Sequence, residues 1–139
     1  MISNSDIQAG WISKLKANMA ITALVPAVEV REDLYKSTVF TYPNIRVKLG
    51  NLVPKVYAPN CQIFSSEVSI LVFTEQKSSK QADDIAGVIA TQFWGGAFTV
   101  NGVRFSGITL EALVPAIVPE RDDNSWMSEV KFVTTVSSG

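Results

Sequence analysis

Residues 67–96 read EVSILVFTEQKSSKQADDIAGVIATQFWGG, and the fold turns on this stretch. Its first part alternates. Val68, Ile70 and Val72 fall on one face, Leu71 and Phe73 on the other. A period of two in β-branched residues predicts a central strand. The polar cluster Gln76-Lys77-Ser78-Ser79 ends it, and Ser78-Ser79-Lys80-Gln81 fits a capping box, in which a serine hydroxyl takes an orphan backbone N–H. The period then turns helical. Ala82, Ile85, Ala86, Ile89 and Phe93 share one face. Asp83 and Asp84 are expected in the first turn, where the helix dipole favours negative charge, and Gly95-Gly96 ends the helix. A strand feeding an amphipathic helix requires a sheet beneath that helix.

The chain supplies candidates on both sides. Upstream, residues 4–17 read as a helix capped by Ser3 or Ser5, with Ile7, Trp11, Ile12, Leu15 and Met19 in one apolar stripe. Gly10 weakens that helix by about 1 kcal/mol relative to alanine, unless a close contact requires it. A second short helical piece over 19–24 stops before Pro26. Val28-Glu29-Val30 reads as extended and 31–38 as a loop. Asn44 to Gly50 alternates, with Ile45, Val47 and Leu49 inward and Arg46 and Lys48 toward solvent. Residues 51–66 hold two prolines and no sustained period, which predicts an extended loop or a short hairpin.

Downstream, Asn101-Gly102 between β-formers predicts a tight hairpin over 98–105, because both residues tolerate positive φ. Residues 106–118 read as a long strand whose far end Pro115 and Pro119 confine to an edge or a bulge. Glu120 to Asn124 is a charged turn, and 126–136 a last strand in which Ser128 interrupts the apolar alternation. The expected fold class is α+β: a mainly antiparallel four-stranded sheet, two helices packed on one face, and a small β-hairpin.

The 139 residues suffice for one sizeable core. A formal net charge of −1 with no basic run disfavours a tightly held nucleic acid. No apolar run reaches a membrane span, and the first residues lack the pattern of a signal peptide. The absence of histidine removes the commonest general base and metal ligand. Cys61 is the single cysteine, excludes an intrachain disulfide, and has no basic neighbours in sequence to activate it. The acidic 120–124 turn does not match a calcium loop, and the glycines precede no helix as a phosphate loop requires. No catalytic, cofactor-binding or metal-binding residue is expected.

Four parts of the chain carry a resemblance: Leu15 to Val25 at the end of the first helix, Tyr42-Pro43-Asn44-Ile45-Arg46-Val47, the Val68–Phe93 unit, and the tryptophan-led strand 126–136. The sequence resembles the tail-terminator, or tail-completion, proteins of long-tailed bacteriophages over most of its length. Its 51–66 segment is longer and richer in proline than that pattern. The resemblance implies one terminator-like domain over 1–139 and a homo-oligomeric ring, commonly a hexamer. Such a ring sits in the virion on the head-proximal end of the tail tube, after assembly in the host cytoplasm. Its partners are tail tube protein and a neck or connector protein; DNA passes as cargo, and no membrane, cofactor or catalytic residue is involved. A closed ring repeats one heterologous contact.

The expected subunit and partner interface comprises Arg31, Glu32 and Asp33; Pro54, Lys55 and Tyr57; Trp94; and Glu120, Arg121, Asp122 and Asp123. Competing readings are a head–tail connector ring, a small enzyme built on a pocket holding Glu111 or Glu129, and a ligand-binding module with a deep apolar pocket.

Overall fold

A computed structural model describes residues 2–32, 42–58, 61–75, 79–118 and 125–138. The elements run α1 (Asn4–Ala17), α2 (Met19–Thr22), a 3-10 turn (Ala27–Glu29), β1 (Val30–Glu32), β2 (Asn44–Ala58) and β3 (Cys61–Glu75). There follow α3 (Ser79–Phe93), β4 (Phe98–Val100), β5 (Val103–Ile117) and β6 (Ser125–Ser138). The strands form one sheet in the order β1-β2-β3-β6-β5-β4, curled into a half-barrel. β1 runs parallel to β2 and every other pair is antiparallel. This replaces the expected four-stranded sheet with two helices: the sheet is six-stranded and mixed, and there are three α-helices.

The strand count rises from four to six by β1 and by β4, which pairs into the same sheet through β5, and the short 19–24 piece forms the third helix, α2. Val30 to Glu32 is a strand, added parallel to Ile45–Val47, whereas Ala27–Glu29 is the 3-10 turn before it. Within 51–66, where a loop or a short hairpin is expected, the described residues are paired strand that continues β2 and β3 as the distal part of a long hairpin. Register shifts at Leu49/Leu52 and Pro54/Val56 break the period there while the pairing continues.

The concave face holds the core. Val68, Ile70 and Val72 pair with Phe132, Val130 and Ser128, and all six are buried. α1 and α3 close over this face. Trp11 is fully buried at its centre, stacked on Phe132 at 5.6 Å with 9° between ring planes. Phe93, Phe98 and Phe105 stand edge-on to Trp11 at 5.4, 5.2 and 6.0 Å. Each such ring pair contributes roughly 0.5–1.5 kcal/mol beyond its area. Gly10 is required here: a Cβ at that position would lie 2.7 Å from Phe105 Cζ.

The local signals explain the helices. Ser3 caps α1 in a capping box closed by Asp6, with Asp6 N–H donating to Ser3 Oγ at 3.2 Å. Asn18 ends α1 and caps α2, its Oδ1 accepting from the N–H groups of Ala20 and Ile21. α3 begins at Ser79; its expected cap partner Ser78 lies outside the described residues. Asp83 and Asp84 therefore sit in the second turn, not the first, and their roles are specific contacts rather than the dipole. Lys80 Nζ donates to Asp84 Oδ2 at 2.6 Å across an exposed i,i+4 pair, which raises the lysine's pKa.

The convex face is not uniformly solvated. Arg46 and Asn44 are buried on it beside Leu71 and Phe73. Arg46, expected toward solvent, turns under the 3-10 segment and donates from Nη1 to the Glu29 carbonyl at 3.5 Å. Lys48 is exposed as its place in the alternation requires.

Candidate assembly surface

The two edges of the sheet are stepped. β1 covers only the Ile45–Val47 portion of β2, and β4 covers only the Val103–Phe105 portion of β5. Among the described residues, no strand pairs with the outer edge of β2 beyond Val47 or of β5 beyond Phe105. Open edges of this length invite another strand. Here each carries a proline, Pro54 on β2 and Pro115 on β5, which removes a donor and restricts pairing with an arbitrary chain.

The register sets the level of each step. Val47 pairs with Ile70, Ile70 with Val130, and Val130 with Leu113, so β1 stands level with the far end of β5. Phe105 pairs with Val136, Val136 with Phe64, and Phe64 with Pro54, so β4 stands level with the distal part of β2. The step missing on one edge is thus the step present on the other.

Exposed apolar side chains border both edges. On the β5 side are Leu113 (48% exposed), Ile117 (50%) and Trp94 (61%); on the β2 side are Val28 (68%) and Val53 (53%). Trp94 stands next to the β5 edge because the N–H of Gly95 donates to the Ile108 carbonyl at 2.8 Å. The exposed charged residues of the β1 and β2 edge are Glu32, Lys48 and Lys55, and the far part of β5 carries Glu111.

The residues predicted for an interface divide accordingly. Arg31 and Glu32 lie in β1, and Pro54, Lys55 and Tyr57 in the distal part of β2, so both groups fall on one edge. Arg31 donates from Nε to the Val28 carbonyl at 2.8 Å and pairs with Glu29 at 3.5 Å. Lys55 Nζ donates to Thr135 Oγ1 at 3.2 Å. Trp94 lies at the opposite edge. Asp33, Glu120, Arg121, Asp122 and Asp123 lie outside the described residues. Leu113 and Ile117, not among the residues expected at an interface, are exposed on the stretch that Pro115 places at an edge or bulge.

Among the described residues, no group of three or more His, Cys, Asp or Glu is placed to hold a metal ion. No helix there is long and apolar enough to cross a membrane. A surface depression of about 280 Å³ lies between the end of α1 and β4, lined by Lys14, Asn18, Gln92 and Phe98, and one of about 290 Å³ lies beside Leu24 and Asp84. Glu111 is exposed on β5 and Glu129 half-buried on the convex face; neither lines these depressions.

This geometry defines a class by fold: a curled, mixed six-stranded sheet with helices on its concave face and stepped, open edges. The same fold occurs in a protein from the virion of a native gene transfer agent particle. The two share 17% sequence identity with a TM-score of 0.71, covering 96% of each chain. A second solved structure, which carries no functional name, matches with 14% identity and a TM-score of 0.65, covering 98% of this chain and 96% of the other. No protein-family model and no curated protein sequence matches the chain.

Proposed function

We propose that this protein is a structural virion component, and specifically the tail terminator: a ring on the head-proximal end of the tail tube that stops polymerisation and presents a joining surface to the neck. The observation that carries the virion assignment is the full-length fold likeness to a protein of the gene transfer agent virion. The terminator assignment rests in addition on the sequence resemblance at Leu15–Val25, Tyr42–Val47, Val68–Phe93 and the last strand. The subunit interface is placed on the two stepped sheet edges, with Arg31, Glu32, Pro54, Lys55 and Tyr57 on one and Trp94 on the other. A near-neutral chain suits a conduit that DNA crosses without being retained, since a basic lumen would hold phosphates. The protein acts by assembly and not by catalysis.

The test is tube capping. Tail tube protein is polymerised with and without the labelled chain, and tubes are imaged. The expected result is label at one end of each tube and arrested growth. Label along tube walls, or tubes that keep growing, would overturn the terminator assignment. A ring that ignores tubes but binds connector protein would identify a neck adaptor instead.

A further inference from the structure

We infer that successive copies of this chain join by a lap between their stepped sheet edges, with β1 of one copy and β4 of the next entering a single strand row. The inference rests on the ring reading above and names its interface. In one copy, the notch beside β5 lies at the level of Leu113 and, among the described residues, has no strand beside it because β4 reaches only Val103–Phe105. In the neighbour, β1 projects at that same level. Conversely, β4 projects at the level of Pro54, where no described strand pairs with the outer edge of the neighbour's β2. Laying the two edges side by side brings β1 against β5 and β4 against β2, with no shift along the strands. A joint without shift has no rise per subunit, which is the condition for a closed ring instead of a helical filament.

Strand direction and side-chain face agree with this arrangement. Through the antiparallel series β2-β3-β6-β5, β5 runs opposite to β2 and therefore to β1, so the β1–β5 contact is antiparallel. β4 runs opposite to β5, so its contact with the neighbour's β2 is parallel. Glu32 pairs with Val47 and Leu113 with Val130, so both are aligned with the concave face of the sheet, and both are exposed. The joint also brings Ile117, which lies level with Asn44, to the end of β1 next to the neighbour's exposed Val28. The prolines in both open stretches disfavour simple full-length edge pairing, whereas short strands fitted to the notches need few donors.

Disulfide trapping tests the joint. In a Cys61→Ser background, Glu32→Cys and Leu113→Cys are introduced together. Within one chain the two positions are four strand spacings apart, roughly 15–19 Å, beyond the reach of a disulfide. Only neighbouring copies can be linked. Oxidation is expected to give a ladder of covalent oligomers up to the full ring on a non-reducing gel, while each single variant gives none. A second double variant, Thr99→Cys with Val56→Cys, probes the β4–β2 half of the lap and is expected to give the same ladder. Native mass is recorded on the same samples. Rings of native mass without either ladder overturn the lap and leave the ring reading standing. Covalent dimers from Leu113→Cys alone show a two-fold contact of β5 with itself and also overturn it. Monomers throughout, with purified tube ends added as well, overturn the ring reading, and the lap with it.

Discussion

Ser128 donates a hydrogen bond from its hydroxyl to Asp83 Oδ1 at 2.8 Å, and the same oxygen accepts from the Ala116 N–H at 2.9 Å. One carboxylate oxygen thus ties α3 to β6 and to the bulged end of β5. Ser128 is the residue that interrupts the apolar alternation of the last strand. Its hydroxyl is fully buried and finds its partner on the helix. Asp83, expected only to complement the helix dipole from a solvated face, fixes how the helix sits on the sheet.

Asp83→Ala is expected to cost about 1–3 kcal/mol, because it leaves a buried hydroxyl and a strand N–H without their acceptor. Ser128→Ala removes one neutral donor and is expected to cost about 0.5–1.5 kcal/mol. The double variant should be less destabilised than the sum of the two, with a coupling of roughly 0.5–3 kcal/mol. Urea denaturation of the four proteins measures this cycle. Additive losses would show that the bond does not act as a unit.

Gly10 and Gly87 are both helical and are expected to respond oppositely to alanine. A Cβ at Gly10 meets the ring of Phe105, itself fully buried among the aromatic residues. Overpacking of about 1–3 kcal/mol outweighs the helix-propensity gain of about 1 kcal/mol. A Cβ at Gly87 meets nothing within 4 Å, so that substitution keeps the gain. Thermal denaturation should place Gly87→Ala above the parent protein and Gly10→Ala below it.

Two tryptophans separate stability from assembly. Trp11→Ala empties the centre of the aromatic core and is expected to cost about 3–5 kcal/mol. Trp94→Ala removes a side chain that is 61% exposed, and its stability should stay within about 0.5 kcal/mol of the parent. Its oligomer should nonetheless dissociate at a higher protein concentration. Equal assembly of Trp94→Ala and parent by analytical ultracentrifugation would remove Trp94 from the interface.

The legible parts of the fold are those where one face meets the core and the other meets water. α1 and α3 follow from their stripes, and β3 and β6 from their alternation, with the 98–105 hairpin marked by Asn101 and Gly102 at φ 51° and 78°. The illegible parts break that condition. β1 is three residues long and is defined by a parallel partner fifteen positions away (Val30 to Ile45), for which no local pattern exists. The distal half of β2 is interrupted by two register shifts and a proline, so its pairing with β3 survives where its periodicity does not. Arg46 looks like a solvated strand residue but is buried and donates to the Glu29 carbonyl of the 3-10 turn, a contact no local pattern signals. Of the residues expected at an interface, those read from charges and prolines, Arg31, Glu32, Pro54, Lys55 and Tyr57, lie along the β1 and β2 edge. The exposure of Leu113 and Ile117 is not legible, because an apolar strand residue reads as core until the neighbouring strand proves too short to cover it.

The most direct test of the account is the native mass of the purified protein across a concentration series, with electron microscopy of the largest species. The protein is expected to form a closed ring of one defined size, a hexamer, whose population grows with concentration at the expense of monomer. A monomer at every concentration that remains monomeric when purified tube ends are added would contradict it.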